Sequence, residues 1–127
     1  MFGEDIITGS SIVKIDSKRR LRLPAFTKVE VGEQVIIARD TNMKDLIVYR
    51  FDLYEKLLER IMEKYNTSYG IGHKLAMFYA GQAFDLTVDK HKSIVIPKCI
   101  SYDKLGFDKG EDILVTGEDY HVTLKRI

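Results

Sequence analysis

Val13-Lys14-Ile15-Asp16-Ser17-Lys18-Arg19-Arg20-Leu21-Arg22-Leu23-Pro24 returns 73 residues later as Leu86-Thr87-Val88-Asp89-Lys90-His91-Lys92-Ser93-Ile94-Val95-Ile96-Pro97. Most apolar positions fall on apolar positions, Asp16 falls on Asp89, and Pro24 falls on Pro97. A second match follows, Gly32-Glu33-Gln34-Val35-Ile36-Ile37 against Gly110-Glu111-Asp112-Ile113-Leu114-Val115. The Pro-to-Gly spacing is 8 in the first copy and 13 in the second, an insertion of five residues. Two copies are too few for a solenoid. The chain reads as a duplicated small unit.

Each copy reads as β-structure. Val13, Ile15, Leu21 and Leu23 alternate with Lys14, Asp16, Arg20 and Arg22, the period of half-buried strands. The polar stretch Ser17-Lys18-Arg19 separates the two runs as a loop, and Pro24 ends the second because it cannot donate to a ladder. Val35–Ala38 and Leu46–Tyr49 form a further strand pair, joined through Thr41-Asn42-Met43-Lys44. Ile113–Thr116 and His121–Lys125 are its equivalents, joined at Gly117-Glu118-Asp119. Such a unit, of about 45 residues, is too small to hold a core alone. The copies must pack on each other, within or between chains.

A helical segment lies between them. Asp52 suits an N-cap, with Glu55 at the capping-box position. Tyr54, Leu57, Leu58, Ile61, Met62 and Tyr65 then form one apolar stripe, opposite Lys56, Glu59, Arg60, Glu63 and Lys64. That stripe reads as core or oligomer contact before a cofactor site. Asn66–Gly72 interrupts the helix, and a shorter one over His73–Ala80 ends at Gly81. The expected class is α+β, mainly β. Residues 1–51 form the first repeat, 52–82 a helical hairpin and 83–127 the second repeat, all in one integrated domain.

With 127 residues and 45% apolar content the chain is expected to fold as a globule. Its net charge is only +1, yet Lys14, Lys18, Arg19, Arg20, Arg22 and Lys28 face a single acid, Asp16, within one window of net +5. A local excess of this kind points to an anionic partner at one place. One cysteine, Cys99, excludes an internal disulfide framework and fits a reducing cytoplasm. Without a neighbouring histidine it reads as a small apolar filler. His73, His91 and His121 have no metal-ligand spacing, so no metal or cofactor is expected. No charge-free stretch is long enough to span a bilayer, and Met1-Phe2-Gly3-Glu4-Asp5 lacks the features of a signal peptide. No nucleophile elbow, phosphate-cradling loop or dinucleotide fingerprint is present, so neither an enzyme nor a small-molecule substrate is expected.

Asp16-Ser17-Lys18-Arg19-Arg20-Leu21 followed by Pro24 resembles the Asp-x-x-x-Arg signature of the MraZ family, within the AbrB/MazE/SpoVT swapped-hairpin superfamily. The likeness covers nearly the whole chain, including Met1-Phe2-Gly3-Glu4, Leu46–Leu58 and the second copy at Asp89 and Pro97. It implies two AbrB-like repeats interlocked in a swapped-hairpin, pseudo-dimeric barrel. It further implies a ring-like homo-oligomer on the nucleoid. Such an assembly binds short direct repeats of double-stranded DNA, mostly as a repressor of the division and cell-wall operon. The chain departs from the pattern in three places. Arg19 and Lys92 replace the glycine before the signature arginine, Ser93 replaces the second arginine, and the chain ends at Ile127, before the tail of many members.

Arg20 and Arg22 are two apart, so on a strand they share one face while Leu21 and Leu23 face the core. Arginine grips guanine O6 and N7 with two donors, and clustered cations bind phosphates with counterion release. Arg19 and Arg20 are therefore expected to contact a groove, and Lys18 and Arg22 to contact phosphates. Lys90, His91 and Lys92 offer a weaker patch that favours phosphates, or stand as a plain exposed loop. Asp16 either orients Arg20 or pairs with a neighbouring subunit, or else caps its own turn; its return as Asp89, the second signature aspartate, where copy two has lost the arginine, leans towards the structural role. The competing reading is a protein-interaction module on the same fold, an antitoxin-like partner with little DNA binding.

Overall fold

The computed structural model describes residues 6–39, 44–64, 83–98, 107–118 and 121–127. Among these, eight strands and one α-helix run in the order β1 (Ser10–Lys14), β2 (Arg20–Arg22), β3 (Gln34–Arg39), β4 (Leu46–Arg50), α1 (Phe51–Lys64), β5 (Ala83–Thr87), β6 (Ser93–Val95), β7 (Asp112–Glu118) and β8 (His121–Arg126). A 3₁₀ turn at Ala25–Thr27 follows Pro24. The architecture is α+β, mainly β.

The two runs flanking the Asp16 loop do not form a ladder with each other. β1 pairs antiparallel with β7, and β2 with β6, so each takes its partner from the other copy. In the same way β5 pairs with β3. Backbone bonds repeat the exchange: Gly110 N–H donates to Ile15 O at 2.7 Å, and Gly32 N–H to Val88 O at 2.8 Å. Gly32 and Gly110, which head the second sequence match, have φ of +84° and +80°. That left-handed turn is why the duplication keeps glycine there.

The large sheet has the order β1-β7-β8-β4-β3-β5. Exchanging each strand for its counterpart in the other copy reproduces this order reversed, an approximate two-fold relation between β4 and β8. The sheet is open, with β1 and β5 as edges, which corrects the expectation of a closed barrel. The chain leaves it at Asp16 and Asp89, and β2 and β6 form a separate two-stranded ribbon.

Between sheet and ribbon lies the core. Leu21 and Ile94 face each other in register and are fully buried, with Ile15, Leu23, Val88 and Ile96 beside them. From the sheet come Val35, Ile37, Leu46, Val48, Ile113, Val115, Val122 and Leu124, and Phe107 completes the cluster. Burying each large aliphatic side chain contributes roughly 1.5–3 kcal/mol. That fixes the ribbon against the sheet and turns its other face outward, with Arg22 and Val95 exposed on it.

Helix α1 follows β4 without a linker, and Asp52 lies in its first turn instead of capping it. A carboxylate there still complements the helix dipole. Tyr54 is buried, with its ring 5.3 Å from that of Tyr49. The second helix read over His73–Ala80, the preceding loop at 66–72, Cys99, and the Thr41-Asn42-Met43 joint lie outside the described residues.

Candidate nucleic-acid interface

The ribbon hangs from two turns of identical design. In the first, Asp16 Oδ1 accepts the backbone N–H groups of Lys18 (2.9 Å) and Arg20 (2.8 Å). In the second, Asp89 Oδ1 accepts those of His91 (2.8 Å) and Ser93 (2.9 Å). Arg19 N–H donates to Asp16 O and Lys92 N–H to Asp89 O, both at 3.0 Å. The closing residues Arg19 and Lys92 have φ of 62° and 60°, the left-handed region. These are the positions where glycine was expected, and both hold a left-handed backbone that glycine adopts readily.

Both aspartates thus serve as turn anchors. The N–H of Arg20 above all, aided by the Arg20 side chain and the N–H of Lys18, holds the Asp16 carboxyl below its usual range. For Asp89 the leading cause is the N–H of Ser93, followed by the N–H of His91. Asp16 alone also binds a side chain, its Oδ2 accepting Arg20 Nε at 2.8 Å. This fixes the guanidinium and leaves its two terminal Nη groups without a partner among the described residues. Orienting and turn-capping are both present at Asp16.

Arg19 corrects the expectation that it reaches a groove. Its side chain is 7% exposed. Nε donates to Ile96 O at 2.9 Å, Nη2 to Pro97 O and Phe107 O at 3.2 Å, and Nη1 to Asp108 Oδ1 at 2.7 Å. The guanidinium ties together both ends of the segment that carries the five-residue insertion. Its donors are spent inside the protein.

The remaining residues gather on the outer face of the ribbon and at its turns. Arg20 is half-buried and Arg22 exposed, above the buried Leu21. Lys18 is exposed at one turn, and Lys90, His91 and Lys92 at the other. Lys14, Asp16, Arg20, Arg22, His91 and Ser93 line an open depression of about 350 Å³. Lys14 lies 3.5 Å from Asp112 in an exposed pair and adds its charge to the rim. In the register Arg22 stands opposite Ser93, and Arg20 opposite Val95. Opposite residues of an antiparallel pair share a face. Copy one therefore supplies two arginines where copy two supplies a buried serine and an exposed valine.

Sequence reading missed Lys14, Ser93 and Val95 as members of this face. For Lys14 the signal was present, because it lies in the same basic window. For Val95 it was not, because only the pairing of strands 73 residues apart brings it beside Arg20.

Arranged this way, the site can do two things. A row of cations on a fixed scaffold attracts phosphates, and a pinned arginine offers two parallel donors to a base edge. Among the described residues no group of three or more His, Cys, Asp or Glu is placed to hold a metal ion. No helix there is long and apolar enough to cross a membrane. No family model matches the chain, and no curated protein matches it.

Proposed function

We propose that this protein is a sequence-specific DNA-binding transcriptional regulator that lays the β2/β6 ribbon in the major groove. The observation that carries the reading is the two-sided ribbon. Leu21 and Ile94 lock one face into the core, and the other presents Arg20, pinned by Asp16, beside Arg22. A major groove about 12 Å wide admits a two-stranded β-ribbon. Arg20 grips a base edge, and Lys18, Arg22, Lys90 and Lys92 contact flanking phosphates. Asp89 keeps the second turn in shape.

The finer reading follows the likeness of the two Asp-anchored turns to MraZ. On it, the repeats interlock as swapped hairpins, and the chain forms a ring-like homo-oligomer in the cytoplasm, on the nucleoid. It represses a division and cell-wall operon through short direct repeats. One patch per chain binds weakly, and an oligomer whose patch spacing matches the repeat gains by effective concentration.

The test is a selection from random DNA at two salt concentrations, with Arg20→Ala alongside. Short boxes at a fixed spacing are expected, with affinity falling steeply as salt rises. Arg20→Ala should weaken selected sites about tenfold or more, and random DNA far less. Equal losses on both would confine Arg20 to the backbone. A pool that enriches nothing would remove the proposal.

A further inference from the structure

The outer face of the ribbon exposes one large apolar side chain. Val95 is 50% exposed and is the register partner of Arg20. Cβ atoms of opposite residues lie about 4.5–5.5 Å apart, so the valine methyls stand beside the arginine that Asp16 pins. Arg22, diagonal to Val95, and Lys18 in the adjoining turn supply cations nearby. The duplication sharpens the contrast, because Val95 holds in the second copy the place that Arg22 holds in the first.

Core packing does not account for an apolar residue here. The ribbon builds its core contacts from the opposite face, through Leu21 and Ile94, both at 0% exposure. A phosphate oxygen does not account for it either, since phosphates are held by donors. In a major groove the apolar group a base edge offers is the C5-methyl of thymine.

We infer that Val95 is a specificity-determining residue that packs against the C5-methyl of a thymine adjoining the base pair held by Arg20. The inference rests on the DNA-binding reading above and adds the chemistry of one base to it. Arg20 Nη groups and Val95 methyls form a donor-plus-methyl pair on one face of the ribbon. It matches two neighbouring base edges, one an acceptor pair and the other a methyl.

The test uses the full chain and a duplex that it selects from a random pool. Each thymine is replaced in turn by deoxyuridine, which keeps its base pairing and loses only the methyl. At one position per bound chain the replacement should weaken binding about three- to fourfold, what burial of one methyl group is worth. That penalty should vanish in Val95→Ala and persist in Val31→Ala, which truncates an exposed valine outside the ribbon. Thermal melts of both variants should stay near that of the parent, since both side chains are exposed. A fresh selection with Val95→Ala should enrich boxes without the thymine preference. Uracil that is neutral everywhere, or equally costly in the parent and Val95→Ala, overturns the inference while DNA binding stands. A parent protein that enriches no sequence removes both.

Discussion

Arg19 and Lys92 hold equivalent places in the two copies, and their backbones are the same to within a few degrees of φ. Their side chains differ completely. Arg19 ties the carbonyls of Ile96, Pro97 and Phe107 to Asp108, whereas Lys92 is exposed. A non-glycine residue in the left-handed region costs roughly 1–2 kcal/mol, part of which glycine returns through its freer unfolded chain. Lys92→Gly is therefore expected to stabilise the protein by about 0.5–1 kcal/mol, a rise of some ~2–4 °C in Tm. Arg19→Gly relieves the same strain but takes the guanidinium from the carbonyls of Ile96, Pro97 and Phe107, and should destabilise by about 2–4 kcal/mol. Thermal melts of the two variants check the pair. A loss in both would mean that glycine is tolerated at neither turn.

At the scale of the element, each ribbon turn is closed by an ionised aspartate. Backbone N–H groups hold Asp16 and Asp89 below the ordinary 3.8, and the N–H of Lys109, then the charge of Arg19, do the same for Asp108. A carboxyl whose folded pKa is depressed takes up protons more readily in the unfolded chain. Its contribution to stability is complete well above pH 3.8 and is lost as pH falls from there through the lowered value. Urea midpoints measured against pH should be flat near neutrality and drop below about pH 4. Asp89→Asn, which keeps an acceptor for the two N–H groups, should flatten that drop; an unchanged acid limb would mean the carboxylates are not what acid attacks. The strands and their polar turns were legible from alternation and the shared Asp, because both signals are local. The hairpin ladders β3/β4 and β7/β8 were legible as well, because their partners are close in the chain. The ladders that join the two copies were not, because alternation fixes a face and not a neighbour. Arg19 was misread for that reason: its burial is set by where Phe107 and Asp108 return, 88 and 89 residues downstream. The start of α1 was misplaced by two residues, since β4 runs straight into the helix and leaves no room for an Asp52 cap.

Across the whole molecule, a nearly palindromic strand order carries an unequal surface. The two halves share their turns, their core positions and their ladders, but only the first brings arginine to the ribbon. Symmetry of the scaffold makes the missing group replaceable. Ser93 occupies the place of Arg20, its N–H is held by Asp89 Oδ1, and Asp89 Oδ2 has no hydrogen-bonding side chain among the described residues. Ser93→Arg should therefore build a second pinned guanidinium, mirrored across the ribbon from the first. Its neighbour in register is Arg22, so repulsion offsets part of the gain. With one more phosphate reached per chain, the slope of log affinity against log salt should steepen by about 0.9. Random DNA should benefit as much as the selected box, because the added group was never among those that read the bases. Val31→Arg, which adds the same charge at an exposed position outside the ribbon, should leave the slope nearly unchanged. If the two variants steepen it equally, net charge and not the ribbon governs binding, and the ribbon loses its place as the contact surface.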